Sequence, residues 1–139
     1  MTQLLHPAAQ HGFSAAAELY QQVRPSYPQE IHAWLTEQLH LNADSRVIDL
    51  ASGTGKFLPY LIPHSGQLTA IEPITEMLAQ LKLAYPQVET LQAFSDHIPL
   101  PSQSIDAVLS AQAFHWFANL DSLKEIHRVL KPQGHLGLV

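Results

Sequence analysis

The stretch that most constrains this chain is residues 46–57, a short apolar run followed by a glycine-rich turn. The apolar run is typical of a buried strand at the centre of a parallel sheet. Because Gly53 and Gly55 have no Cβ, a ligand can approach their backbone and positive φ angles cost little. A helix that begins after the turn directs free N–H groups and the positive end of its dipole towards the same place. The stretch therefore predicts a nucleotide-type binding loop.

Three residues indicate which nucleotide this loop would bind. Leu58 stands where the dinucleotide fingerprint has its third glycine. Phe57 follows Gly55-Lys56 where a phosphate-binding P-loop needs Ser or Thr. Asp49 ends the strand directly before the turn, and its carboxylate suits a ligand that carries an ammonium group better than a pyrophosphate. Nicotinamide cofactors and P-loop nucleotides are therefore disfavoured.

Further motifs follow in an order that resembles the class I S-adenosylmethionine-dependent methyltransferases, in the small-molecule subgroup. They are Asp-Leu-Ala-Ser-Gly-Thr-Gly at 49–55, Ala-Ile-Glu-Pro at 70–73, Ala-Gln-Ala-Phe-His-Trp-Phe at 111–117 and Glu-Ile-His-Arg-Val-Leu-Lys-Pro-Gln-Gly at 125–134. The Tyr-x-x-x-Arg-Pro-x-Tyr-Pro segment of that subgroup stands at 20–28, so the resemblance covers nearly the whole chain. Two departures are Ala51 and Gln133, where the family usually has glycine.

Alternating strands and helices predict an α/β fold with a doubly wound, Rossmann-like parallel sheet of strand order 3-2-1-4-5. The predicted strands are 47–50, 68–71, 88–91, 105–109 and 136–139. Helices are predicted at 14–23, at 29–41 and around 77–81, the last of which stops before Pro86. A further helix is predicted to begin at the cap residue Asp121, with Leu123, Ile126 and Leu130 as its apolar face. Pro59 predicts an irregular first turn in the helix after the glycine loop. A ligand is expected at the carboxyl ends of strands one and four.

Composition limits the alternatives. The 139 residues are enough for one domain, and we expect a flexible tail at 1–12. The resemblance implies that residues 13–139 form an S-adenosylmethionine-binding methyltransferase domain. The net charge of −5, without a Lys/Arg cluster, argues against a nucleic-acid partner. There is no cysteine, the nine histidines lack metal-ligand spacing, and no apolar stretch approaches membrane-spanning length. We therefore expect no metal, no membrane partner and a cytoplasmic protein.

The position of Glu72, nineteen residues after Gly53 and at the end of the second predicted strand, suits a carboxylate that accepts both ribose hydroxyls. The resemblance implies S-adenosyl-L-methionine as cofactor and assigns its other parts. Asp49 is expected at the methionine amino group, and Ser95, Asp96 or backbone at the adenine edge, since Phe94 replaces a small polar residue there. The backbone of Ala51, Gly53 and Gly55 would line the methionine end of the cofactor. The side chains that would pack on the adenine are Pro73, Ile74 and Met77, and those that would close over the cofactor are Tyr20 and Arg24.

Gln112 is expected near the transferable methyl group, followed by an aromatic run that includes His115. His115 is a candidate general base because its intrinsic pKa is near neutral, and the alternative is that the run only packs. No catalytic residue is otherwise identified.

The resemblance implies two further strands and a helix beyond residue 139, so the domain would be incomplete at its C-terminus. The leading hypothesis is methyl transfer from S-adenosylmethionine to an unidentified small-molecule acceptor. The alternative is a non-catalytic or truncated cofactor-binding remnant without an acceptor pocket. The apolar residues 136–139 would form an exposed edge strand, which predicts a homodimer through that edge.

Overall fold

The computed structural model describes residues 27–111 and 119–139. Its helices are α1 (Glu30–Glu37), α2 (Leu58–Leu61, continued by a 3₁₀ turn at Ile62–His64), α3 (Thr75–Ala84) and α4 (Leu120–Val129). Its strands are β1 (Arg46–Leu50), β2 (Gln67–Ile71), β3 (Glu89–Leu91), β4 (Ile105–Ser110) and β5 (Leu130–Leu138). The predicted tail at 1–12 and helix at 14–23 lie outside the described residues.

The strands form a five-stranded sheet of order β3-β2-β1-β4-β5, in which every pair is parallel. This confirms the predicted doubly wound topology. The strand order reverses beside β1: the chain builds outwards from β1 to β3 and then returns to place β4 on the other side of β1. The carboxyl ends of β1 and β4 therefore border the crevice in which ligands of such sheets bind.

Two apolar clusters cover the two faces of the sheet. On one face α4 packs over Ile48, Leu50 and Val108, and on the other α1 packs over Val47 and Leu109. Alternate residues of β1 thus serve opposite clusters, which is the side-chain period of a strand buried on both faces. On β2, Ala70 contacts a third cluster that joins α2 to α3.

The glycine loop leads into an irregular turn before α2 begins at Leu58, which confirms the effect predicted for Pro59. Pro59 lies in the first turn of the helix, where its missing N–H would have no intrahelical partner. The predicted helix at 29–41 is shorter than expected, because α1 ends at Glu37.

The sequence prediction of α4 was wrong in its cap and in part of its buried face. The N-cap is Asn119, whose Oδ1 accepts a hydrogen bond from the Ser122 N–H at 2.9 Å, and Asp121 lies inside the helix. Ile126 is buried as predicted, whereas Leu123 is 42% exposed and Leu130 belongs to the strand that follows the helix. Ser122 and Val129, which the predicted face did not include, are also buried. Burial of Ser122 is possible because its hydroxyl has a hydrogen-bond partner in the core.

Strand β5 begins at Leu130 rather than at residue 136. Its pairing with β4 is interrupted between Ile105 and Ala107, so residues 131–134 lie in an irregular part of the strand. Pro132 can lie there because β5 is at the edge of the described sheet, where the missing N–H breaks no ladder.

Candidate functional site

The register of the sheet brings most of the predicted site residues to the carboxyl ends of the strands. Leu50 pairs with Ile71, and Ile71 pairs with Leu91, so β1, β2 and β3 end side by side. The segments that follow these strands carry the glycine loop, Glu72 with its successors, and the segment around Asp96. Most of the predicted cofactor-binding residues therefore come from neighbouring strand ends.

The glycine loop makes a tight backbone turn with three positive φ angles: +58° at Ala51, +61° at Gly53 and +95° at Gly55. The Ser52 N–H donates to the Ile71 carbonyl at 3.0 Å, which ties the loop to β2. The Ser52 hydroxyl donates back to the Asp49 carbonyl at 2.6 Å. Two of the left-handed positions are glycines, as the sequence suggested, whereas Ala51 adopts this conformation against its steric preference.

Gly55 also needs its missing side chain for space. A Cβ atom there would lie 3.0 Å from the Tyr85 ring and 3.1 Å from Leu58 Cδ1, both parts of the packed layer under the loop. At Gly53 the nearest atom to such a Cβ would be Met77 Cε, at 3.3 Å. Met77 therefore packs beneath the glycine loop.

Glu72 is the buried acid of the site, with only 3% of its surface exposed. Its Oε1 accepts a hydrogen bond from the Gly53 N–H at 2.8 Å, and its Oε2 accepts one from the Ile74 N–H at 2.9 Å. Burial raises the pKa of the Glu72 carboxyl to about 7, although both N–H donors oppose that shift. Glu72 thus joins the glycine loop to the start of α3, and each carboxylate oxygen has remaining lone-pair capacity for another donor.

Asp49 is also buried, at 1% exposure. It lies on β1 between Ile48 and Leu50, opposite Ala70 of β2 and Leu109 of β4 in the register. Two buried carboxylates therefore lie at the carboxyl ends of neighbouring strands, Asp49 on β1 and Glu72 directly after β2. Such a site favours ligands that bring positive charge and hydrogen-bond donors over ligands that bring phosphate.

The three residues predicted to pack on adenine differ in their accessibility. Ile74 and Met77 are 3% and 2% exposed, whereas Pro73 is half-buried. Gln92, which the sequence analysis did not single out, donates from Nε2 to the Pro73 carbonyl at 3.1 Å and to Thr75 Oγ1 at 2.8 Å. Gln92 thereby ties the segment after β3 to the segment after β2.

Ser95 and Asp96 are placed differently. The Ser95 hydroxyl is buried and shares a hydrogen bond of 2.7 Å with the Ser122 hydroxyl of α4. The Oδ2 atom of Asp96 is buried and has no hydrogen-bond partner among the described residues. Burial, the largest cause, raises the pKa of the Asp96 carboxyl. Asp96 is therefore the acceptor in this segment with capacity for a donor from a ligand.

Ser110 ends β4 at the same edge of the sheet. It is 1% exposed, and its Oγ has no hydrogen-bond partner within residues 27–111 and 119–139. Ser110 could not be identified from the sequence, because a single serine after an apolar strand carries no distinguishing pattern.

Four predicted site residues lie outside the described residues: Tyr20, Arg24, Gln112 and His115. The last part of the Tyr-x-x-x-Arg-Pro-x-Tyr-Pro segment is described, and it contacts the region after the glycine loop. The Tyr27 N–H donates to the Tyr60 hydroxyl at 3.0 Å, and the Tyr27 ring meets Phe57 edge-on at 5.0 Å between centroids.

Among the described residues no group of three or more His, Cys, Asp or Glu side chains could hold a metal ion. The part of the chain that the structure describes also contains no helix long and apolar enough to cross a membrane. An open groove of about 800 Å³ lies on the opposite side of the sheet from the carboxyl ends of the strands, and its lining includes Asp44, Asp106 and Lys131. It adjoins the amino ends of the strands and contains none of the predicted site residues.

Comparison with known proteins agrees with this geometry. The family described as "Methyltransferase domain" matches residues 48–138. An uncharacterized methyltransferase-like protein of Schizosaccharomyces pombe is 44% identical over 121 residues, which is 86% of this chain and 47% of that protein. This chain thus spans about half the length of that relative.

Solved structures share the fold. A SAM-dependent methyltransferase from Aquifex aeolicus is 25% identical, with a TM-score of 0.69 over 90% of this chain and 71% of that one. The [4+2]-cyclase SpnF, at 21% identity, has a TM-score of 0.79 over 96% of this chain and 61% of its own. At that identity the second likeness concerns the fold alone.

Proposed function

We propose that this chain, which belongs to the class I S-adenosylmethionine-dependent methyltransferase family, binds S-adenosyl-L-methionine at the carboxyl edge of its sheet. We propose further that it transfers the methyl group to a small-molecule acceptor. The observation that carries this proposal is Glu72, a buried carboxylate fastened to the Gly53 and Ile74 N–H groups at the end of β2. Its fixed oxygens suit two ribose hydroxyls and would repel a phosphorylated ribose.

The remaining residues fit the other parts of this cofactor. Asp49 would supply negative charge for the methionine ammonium and for the neighbouring sulfonium, and the tight turn of the glycine loop begins directly after β1, beside this carboxylate. The buried Asp96 Oδ2 suits the amine of adenine, because an acceptor without a partner gains a hydrogen bond from that donor. The backbone of Ala51, Gly53 and Gly55 would line the methionine end, and Pro73, Ile74 and Met77 would pack on the adenine. Tyr20 and Arg24 would close over the cofactor, and Gln112 would lie near the transferable methyl group.

The cofactor itself would supply the chemistry, an activated methyl group on a positively charged sulfur. The contribution of the chain is alignment and electrostatics. Glu72 and Asp49 are held by rigid strand ends, and residues on such supports can fix a ligand in the orientation that an in-line displacement needs. His115 remains the candidate for a general base at the acceptor.

A second candidate is cofactor binding without methyl transfer. The described part of the site favours keeping it, because Glu72, Asp49 and Asp96 are assigned to the cofactor and none of them to an acceptor. Both candidates use the same cofactor site and differ in whether an acceptor is bound and methylated.

Isothermal titration calorimetry with S-adenosylhomocysteine and with NAD⁺ tests the shared part. We expect binding of S-adenosylhomocysteine and no comparable heat from NAD⁺, and tighter binding of NAD⁺ would contradict the proposal. Glu72→Ala should weaken the binding of S-adenosylhomocysteine by about 1.5–3 kcal/mol, because charged hydrogen bonds to both ribose hydroxyls are lost. The exposed carboxyl of Glu30 gives a matched control, Glu30→Ala.

Methyl-labelled S-adenosylmethionine and a panel of phenols, amines, carboxylates and quinones separate the two candidates. Transfer of label to any class supports methyltransferase activity. Tight cofactor binding without transfer to any class favours the second candidate.

A further inference from the structure

The segment between β3 and β4, residues 92–104, has neither helix nor strand. Within 94–100 its backbone makes only two hydrogen bonds of its own, from the His97 N–H to the Phe94 carbonyl and from the Leu100 N–H to the Ile98 carbonyl. Local bonding of this kind does not fix a loop in one place. The position of the Asp96 carboxyl must therefore depend on what holds the segment from outside.

One face of α4 provides that support. The Glu125 Oε2 accepts a hydrogen bond from the Ile98 N–H at 2.7 Å. Arg128 donates from Nη2 to the Ile98 carbonyl at 2.8 Å and from Nη1 to the Leu100 carbonyl at 3.0 Å. Because Asp96 lies only two residues before Ile98, it is held close to a fixed point of the backbone.

Arg128 and Glu125 also bind each other. The Arg128 Nε lies 2.6 Å from Glu125 Oε1, and Nη2 lies 3.1 Å from Oε2, so the pair is bidentate. The hydrogen bond from Arg128 is the largest cause of the lowered pKa of the Glu125 carboxyl. A bidentate pair fixes the direction of both side chains, and lysine cannot reproduce its planar geometry.

The second point of support is Ser122, one turn before Glu125 on the same face of α4. Its hydroxyl bonds to the hydroxyl of Ser95, and both residues are buried. Asp96 therefore lies between two residues that are hydrogen-bonded to α4, Ser95 before it and Ile98 after it.

We propose that Glu125 and Arg128, together with Ser122, are positioning residues that fix Asp96 and so determine the selectivity of the site for adenine. This inference rests on the proposed function, in which Asp96 accepts from the adenine amine. None of the three side chains needs to touch the ligand. An adenine amine donates to Asp96, whereas the carbonyl oxygen of hypoxanthine would meet it as a second acceptor, so selectivity between the two bases measures how firmly Asp96 is placed.

The test compares S-adenosylhomocysteine with S-inosylhomocysteine by calorimetry on the full chain. Wild type should prefer the adenosyl ligand by about tenfold or more, the scale of one hydrogen bond to a charged group. Arg128→Lys keeps the charge and loses the bidentate geometry. We expect this substitution to lower the affinity for the adenosyl ligand about tenfold and the affinity for the inosyl ligand by no more than about twofold. Glu125→Gln should shift the ratio in the same direction.

The control is Lys131→Met, which removes a different ion pair, that of Lys131 with Asp106 at 3.1 Å. That pair lies near the amino end of β4, away from the adenine edge, so neither ligand should change in affinity. A general loss of stability would weaken both ligands alike and leave their ratio unchanged. The ratio therefore separates a positioning role from a purely structural one.

Each outcome decides between the hypotheses. A ratio that stays within twofold of wild type in Arg128→Lys and Glu125→Gln overturns the positioning role and leaves the proposed function intact. Equal wild-type affinity for both ligands also overturns it. Absence of binding to wild type overturns the proposed function and this inference with it. If Arg128→Lys does not fold, Ser122→Ala removes only the contact to Ser95 and should lower the same ratio.

Discussion

The pKa of Glu72 makes the stability of the ligand-free protein depend on pH in an unusual direction. In the unfolded chain this carboxyl has a pKa of 4.5, and burial raises it to about 7 in the folded protein. Between these values the folded state binds a proton that the unfolded state has released. Stability from this group is therefore complete below pH 4.5 and is lost as pH rises towards 7.

The magnitude follows from the two pKa values. Each unit of pKa difference corresponds to about 1.4 kcal/mol. Between pH 5 and pH 8, Glu72 should lower the free energy of unfolding by about 2.5 kcal/mol, and the effect should level off above pH 8. Most carboxylates have the opposite influence, because their native partners lower the pKa.

Urea unfolding of wild type and Glu72→Gln at four pH values between 5 and 8 measures this effect. All other titratable groups are common to both proteins, so their contributions cancel in the difference. The amide of glutamine opposes one of the two N–H donors, which adds a destabilisation that does not vary with pH. The difference between the proteins should therefore change by about 2–3 kcal/mol with pH. A difference that stays constant within about 0.5 kcal/mol would refute the reasoning, and Glu30→Gln controls for the loss of one exposed charge.

Cofactor binding should respond with the opposite sign. Ribose hydroxyls donate to the ionised carboxylate, so ligand binding favours loss of the proton. If only the ionised form binds, S-adenosylhomocysteine affinity should rise about tenfold between pH 6 and pH 8. In Glu72→Gln this rise should disappear, and calorimetry at the two pH values measures it.

Three further predictions concern the loop and the edge strand. Ala51→Gly should raise the free energy of unfolding by about 0.5–1 kcal/mol, because relief of the +58° φ angle exceeds the entropy that glycine adds to the unfolded chain; chemical denaturation would show it. Gly55→Ala should destabilise the protein by about 1–3 kcal/mol, since a Cβ would lie 3.0 Å from the Tyr85 ring at a φ of +95°; an unchanged melting temperature would contradict this. We propose self-association through β5, whose Leu138 is 48% exposed at the edge of the described sheet; light scattering should show less of it in Leu138→Lys, and a monomeric wild type would count against the proposal.

The sheet topology could be predicted from the sequence because the chain separates its strands clearly. Apolar runs of strand length alternate with helical patterns, and Pro and Gly residues mark the boundaries. Glu72 could be located in the same way, by its place at the end of a strand. Its bond to the Gly53 N–H could not, because that contact depends on how two loops nineteen residues apart meet in space.

The face of α4 could not be predicted for a related reason. Leu123 looks like a core residue, and Ser122 looks like a surface residue. The structure buries Ser122 because a second serine, 27 positions earlier, satisfies its hydroxyl. Hydrophobic periodicity detects burial of apolar surface and is blind to a polar pair of this kind.

The two unfavourable features of the loop region lie at the same edge of the sheet. Ala51 holds a left-handed backbone, and burial disfavours the ionised form of the Glu72 carboxyl at neutral pH. Each lowers the stability of the ligand-free protein by about 1–3 kcal/mol, and neither supports the remainder of the core. A ligand that donates hydrogen bonds to Glu72 compensates the second cost directly. The stabilisation by S-adenosylhomocysteine should therefore be greater at pH 8 than at pH 6, and a stabilisation that does not grow with pH would mean that the ligand does not reach Glu72.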